Sequence, residues 1–113
     1  MITVYGIKNC DTVKKARRWL EANGVVFQFH DFRSDGLDEE TVNIWLKAVT
    51  WDTLLNRKST TWRQLDETQR DNIDAKNAVQ LMLSSPTIIK RPVLVKDDVV
   101  LVGFDEIHYK TLL

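Results

Sequence analysis

The sequence predicts an α/β fold with a four-stranded mixed sheet and a helical insertion between its two halves. Three observations lead there. An apolar run, Ile2 to Tyr5, precedes a helical pattern and then a Val- and Phe-rich segment, Val25 to Phe32. That order is the strand–helix–strand unit from which parallel sheets are built. Two further apolar runs, Val93-Leu94-Val95 and Val99 to Val102, flank the polar Lys96-Asp97-Asp98 and read as an antiparallel hairpin. Between these halves the apolar residues recur at helical spacing.

Each element has its own signal. Gly6 ends the first strand, and Ile7 to Cys10 reads as a loop. A helix is expected from about Asp11 to Asn23, with Val13, Ala16 and Leu20 toward a core and Asn23-Gly24 as its stop. Arg33-Ser34-Asp35-Gly36 is a turn after the second strand. Asp38 caps a helix with Glu39 and Glu40 beside its positive end, and Val42, Trp45, Leu46 and Val49 form its apolar stripe. Short helices follow over Asp52 to Leu55 and Asp66 to Arg70. A longer one spans about Asp74 to Leu83, with Ala75, Ala78, Leu81 and Met82 inward, and Pro86 prevents its continuation. A last helix starts at about Asp105. The whole chain, 1–113, reads as one domain with its helical insertion at about 37–84.

Composition excludes several classes. The chain has 113 residues, 43% of them hydrophobic, which suits one folded core. Its 16 basic and 16 acidic residues cancel, whereas nucleic-acid binding needs a basic excess, so no nucleic-acid partner is expected. No apolar run approaches the roughly 20 residues that span a bilayer. The amino terminus lacks the cationic and long apolar regions of a secretory signal, so a cytoplasmic location away from membranes is expected. A single cysteine rules out an internal disulfide and any multi-cysteine metal site. Any redox cycle must take its second thiol from another molecule.

Three places carry candidate chemistry. Cys10 follows a strand and loop and opens a helix, where unpaired N–H groups and the positive helix end favour a thiolate. Lys8 and Lys14 add positive charge nearby, and Asp11 opposes them. Position alone also fits an inert, packed cysteine. Lys90-Arg91-Pro92 precedes the hairpin; Pro92 reads either as a plain strand-start proline or as a cis-proline that turns Arg91 toward Cys10. The segment from Leu54 to Arg63 mixes cations with small hydroxyls, and reads either as an anion-wrapping loop or as a solvated face. Trp62, close in sequence to Arg57, could border a cleft. His30 reads as a hydrogen-bonded structural residue and His108 as a surface or packing residue.

Four motifs in order complete the picture: Tyr5 to Thr12 with Lys14-Lys15-Ala16, then Leu55-Asn56-Arg57, then Lys90-Arg91-Pro92-Val93, then Val102-Gly103-Phe104. Together they resemble the ArsC/Spx family of arsenate-reductase-like proteins, with the YffB-like subgroup nearest. The likeness covers nearly the whole chain. It implies a thioredoxin-like fold with a helical insertion, in agreement with the element order. It implies Cys10 as the nucleophile, Arg57 and Arg91 as the arginines around it and its oxyanion, and Pro92 as a cis-proline. Lys8, Asn9 and Thr12 are the accompanying candidates for substrate binding. Guanidinium forks suit both oxyanions and carboxylates.

The chain departs from the arsenate-reductase pattern at three positions. Gly6 stands where those enzymes have a histidine, Val13 where they have a serine, and Phe104 where they have a third arginine. These losses place glutathione-dependent thiol reduction ahead of arsenate reduction. Glutathione or a glutaredoxin is the expected partner, as co-substrate rather than bound cofactor, acting on a small oxyanion or a thiol/disulfide substrate. The remaining alternative is an Spx-like regulator that binds RNA polymerase. Val13 removes the second cysteine of the Spx Cys-x-x-Cys switch.

Overall fold

The strand–helix–strand start forms as its pattern predicts, with β1 (Ile2–Gly6), α1 (Asp11–Ala22) and β2 (Phe27–Asp31). β1 and β2 run parallel in the register Ile2↔Phe27 to Gly6↔Asp31. The computed structural model describes all 113 residues, Met1–Leu113, which divide into two compact units. The first is Met1–Gly36 with Arg91–Leu113, and the second is Leu37–Lys90.

In the first unit, β3 (Val93–Lys96) and β4 (Val99–Val102) form the expected hairpin. Its turn places Asp97 at φ 52, a left-handed conformation that Asp tolerates better than most residues. β3 also pairs antiparallel with β1, giving the mixed sheet order β2-β1-β3-β4. Tyr5 pairs with Val93, so Arg91 and Pro92 arrive at the end of the sheet from which the Cys10 loop departs.

α1 buries Val13, Ala16 and Leu20, the predicted stripe. It ends in a Schellman motif. Val25 N–H donates to Leu20 O at 2.9 Å and Gly24 N–H to Glu21 O at 3.1 Å, with Gly24 at φ 69. Ile2, Val4, Ala16, Leu20, Leu94 and Tyr109 form the core of this unit. Tyr109 ends the last α-helix, which is capped by Asp105, and meets Trp19 and Phe104 edge to face at 5.7 and 4.9 Å.

The second unit is a set of short capped helices: α2 (Glu39–Leu46), α3 (Trp51–Leu54), α4 (Thr60–Gln64), α5 (Glu67–Asp71) and α6 (Ala75–Ser84). The last α-helix of the chain, in the first unit, is then α7 (Glu106–Tyr109). Val42, Trp45, Leu54, Leu55, Met82 and Ile88 are among the buried residues of the second unit. Pro86 opens a 3-10 turn, Pro86–Ile88. An isolated bridge pairs Leu55 with Ile89, flanked by Asn56 N–H to Ile88 O and Lys90 N–H to Leu54 O, both 2.8 Å.

Two readings of this region need correction. On α6 it is Val79 that is buried, while Ala75 is exposed, because Ala75 opens the helix right after its Asp74 cap. α4 had no counterpart in the sequence pattern; it has no buried residue, and it is held by its Ser59 cap. No helix of the protein is long and apolar enough to cross a membrane.

One packing detail shapes the first unit. Gly6 ends β1 directly against Val13, in the first turn of α1. A Cβ at position 6 would lie 2.8 Å from Val13 Cγ2. Val13 is fully buried and stiff at χ1, so it has no room to yield. Gly6→Ala is therefore expected to destabilise the protein by about 1–3 kcal/mol through overpacking. In urea denaturation the double variant with Val13→Ala should cost less than the sum of the two single changes.

Candidate functional site

Cys10 occupies the N-cap position of α1, with an extended backbone at φ −132, ψ 122. Its carbonyl accepts the first helical bond, from Lys14 N–H at 2.9 Å. Every other α-helix of the chain has a side-chain cap: Asp38, Thr50, Ser59, Asp66, Asp74 and Asp105 each accept a backbone N–H. Cys10 makes no such bond. The one helix of 12 residues thus begins with a half-buried thiol where a capping oxygen would normally sit.

The loop that delivers Cys10 is tied down from β2. Ile7 is buried, while Lys8 and Asn9 are exposed, as is Thr12 in the first turn of α1. Phe32 N–H donates to Gly6 O at 2.8 Å. Asp31 is the one buried charged residue of the chain. Its Oδ2 accepts Lys8 N–H at 3.2 Å, and its Oδ1 accepts Arg33 N–H at 2.7 Å and Ser34 N–H at 3.3 Å. Burial pushes the Asp31 carboxyl up, but these backbone donors and the nearby Lys8 charge outweigh it and hold the group below the usual carboxylate value.

His30 is tied to the same turn, with Nε2 within 2.6 Å of Gly36 O and its ring 5.0 Å from that of Tyr5. This is the structural role expected of it. His108 is exposed and meets Asp105 at 3.1 Å. No three or more His, Cys, Asp or Glu side chains gather as metal ligands.

Arg91 is half-buried and Pro92 buried, in the same unit as Cys10. The Arg91–Pro92 bond is cis, in line with the cis part of the second reading of Pro92. Pro92 O accepts Gly103 N–H at 2.8 Å, with Gly103 at φ 79.

Arg57 belongs to the second unit. Its Nη2 lies 2.6 Å from Asp52 Oδ1, and its guanidinium lies 5.4 Å from the centre of the Trp62 ring. Both partners of the ion pair are about half exposed, so the pair is worth at most about 1 kcal/mol.

Of the residues the sequence reading named, Lys8, Asn9, Cys10, Thr12, Arg91 and Pro92 fall in the first unit and Arg57 in the second. That reading missed Asp31. The only local signal was an acidic residue at a strand end before a turn; the Lys8 partner lies 23 positions away.

Comparison with known proteins places the chain in a family. The ArsC family matches residues 5–112. An uncharacterized protein of Haemophilus influenzae is 48% identical over 113 residues, covering 97% of this chain and 96% of its own. The structure of the YffB protein superposes with a TM-score of 0.94 at 45% identity, covering 98% of this chain and 97% of that one. An arsenate reductase (ArsC) related protein from Brucella melitensis superposes with a TM-score of 0.80 at 52% identity, covering 97% and 92%.

The depressed Asp31 value sets an acid dependence. The folded value lies below the unfolded one of about 3.9, so the unfolded chain takes up the proton first. The stabilisation is complete above about pH 5 and is lost as pH falls through the unfolded and then the folded value. Asp31→Ala is expected to cost about 1–3 kcal/mol at neutral pH, because it removes the acceptor of three part-buried backbone N–H groups. Urea melts toward about pH 2 should show the gap from the parent protein narrowing.

Proposed function

Since the chain belongs to the ArsC family and has its thioredoxin-like fold, we propose that it is a glutathione-dependent thiol reductase acting through Cys10. The observation that carries this reading is the replacement of a capping oxygen by a thiol at the start of α1, and there alone. A thiolate at that point faces the unpaired N–H groups and the positive end of a helix long enough to have a substantial dipole. Cis-Pro92 and Arg91 arrive at the same end of the sheet.

The reaction needs only one protein thiol. The Cys10 thiolate attacks the glutathione sulfur of a mixed disulfide between a substrate thiol and glutathione. The substrate thiolate leaves and takes up a proton. A second glutathione thiolate then attacks the glutathione sulfur on Cys10, which releases glutathione disulfide and restores the Cys10 thiolate. The sum is a thiol–disulfide exchange in which one free glutathione is consumed, the substrate thiol is released and glutathione disulfide leaves, and no second cysteine is required. Arg91 is the group we assign to a carboxylate of glutathione, with Lys8, Asn9 and Thr12 as accessory contacts. Glutaredoxin is the alternative source of the resolving thiol.

Thiol reduction ranks above arsenate reduction because Gly6, Val13 and Phe104 replace three polar groups of the arsenate-reductase pattern. Gly6 and Val13 are in direct contact, so the two changes form one apolar plug behind the Cys10 loop.

The test is turnover of a glutathione mixed disulfide, coupled to glutathione oxidation. Cys10→Ser should abolish it without lowering the melting temperature, because serine supplies the capping oxygen that Cys10 lacks. Arg91→Ala should raise KM for glutathione about tenfold, the loss of one charged hydrogen bond. Full activity in the Cys10→Ser variant would overturn the assignment.

A further inference from the structure

The carboxylate of Asp31 divides its two oxygens between two jobs. Oδ1 serves its own turn through Arg33 and Ser34. Oδ2 reaches across to the Lys8 peptide, 23 residues earlier in the chain. The first job does not need a carboxylate or burial, because a neutral side-chain oxygen at an exposed turn makes the same local bonds. A buried charge is costly unless its hydrogen bonds are satisfied. Asp31 is 6% exposed, and the acceptor beyond the needs of its turn is the one turned toward the Lys8 peptide.

That loop is short. Ile7, Lys8 and Asn9 alone separate β1 from Cys10, and Ile7 is buried. The Gly6 carbonyl is held by Phe32 N–H and the Lys8 amide by Asp31, so the loop is fixed at both a carbonyl and an N–H by consecutive residues of one strand end. The peptide that Asp31 grips lies two residues before the thiol. A shift there passes to Cys10 with almost no slack in between.

We propose that Asp31 is a positioning residue for Cys10, setting the direction of the thiol by holding the Lys8 peptide through Oδ2. This rests on the thiol-reductase reading for its role in turnover. The tether itself is a property of the loop.

Asp31→Asn separates the two jobs. The amide oxygen still serves Arg33 and Ser34, and the NH2 group then faces the Lys8 N–H, donor against donor. Leu101→Ala, half-buried on β4, is the control for a general loss of stability. Formation of the Cys10–glutathione mixed disulfide is followed by mass spectrometry in a single turnover with glutathione disulfide, and kcat and KM are measured in the coupled assay. Asp31→Asn should slow both mixed-disulfide formation and kcat about tenfold, with KM within about twofold, as misplacement of a reacting atom does. Leu101→Ala should leave both rates within about twofold at a similar loss in Tm. Should Asp31→Asn not fold, Asp31→Ser keeps a short acceptor for the turn and cannot reach Lys8, and the same slowing is expected. Parental rates in the folded Asp31 variant would overturn the proposal. If the parent protein forms the mixed disulfide but never turns over, the thiol-reductase reading falls while the single-turnover rate still judges the tether. If Cys10 does not react with glutathione disulfide at all, hydrogen exchange of the Lys8 amide decides: acceleration of about tenfold or more supports the tether, and unchanged exchange overturns it.

Discussion

Between the end of β1 and the Cys10 cap of α1 the chain has three residues in which to reverse direction, and the close approach of Gly6 to Val13 governs how it does so. A side chain at position 6 would push the helix away from the sheet. Its absence lets the first turn of α1 lie directly against the strand end, with Val13 filling the gap. That contact sets where α1 begins, and α1 begins at Cys10. The stripe of Val13, Ala16 and Leu20 then follows along the sheet, and the Schellman motif at Gly24 returns the chain to β2 in parallel register. β2 in turn ends at Asp31, opposite Gly6, and ties back the loop from which it is separated in sequence by a whole helix.

The helix caps show how an ordinary local rule marks an unusual residue. Asp, Ser and Thr stand at the head of six helices because each offers an oxygen to an orphan N–H. α5 goes further, with a reciprocal capping box between Asp66 and Gln69. The longest helix forgoes that bond and is held instead by its buried stripe and its C-terminal motif. Tertiary packing makes the cap dispensable there, and this frees the position for a thiol.

Packing also accounts for the third departure from the arsenate-reductase pattern. Phe104 lies edge on to Tyr109, which lies edge on to Trp19 of α1. The three rings dock the C-terminal segment onto the helix that begins with Cys10. Burial raises the Tyr109 hydroxyl above its ordinary value and keeps it protonated, with Gly103 O as its acceptor at 3.5 Å. Position 104 is thus part of an aromatic cluster in this chain, and a guanidinium there would give up those ring contacts.

Local chemistry alone was enough to read the strand–helix–strand start, the hairpin, the Asp38 cap and the place of Cys10. These depend on apolar period, turn residues and capping side chains within a few positions of one another. α4 was not legible, because a five-residue helix with no buried face leaves no periodic signal. The inward side of α6 was misjudged at Ala75 and Val79, since two turns of helix leave the stripe free to rotate until its neighbours are placed. The sheet order, the cis bond before Pro92, the plug formed by Gly6 and Val13 and the grip of Asp31 on Lys8 came only from the tertiary structure. Each joins residues far apart in the chain or depends on a clash that appears when strand and helix pack, and no local pattern encodes a distance between them. The sequence by itself determined which residue is the thiol and that it opens a helix. The fold decided what holds that thiol in place.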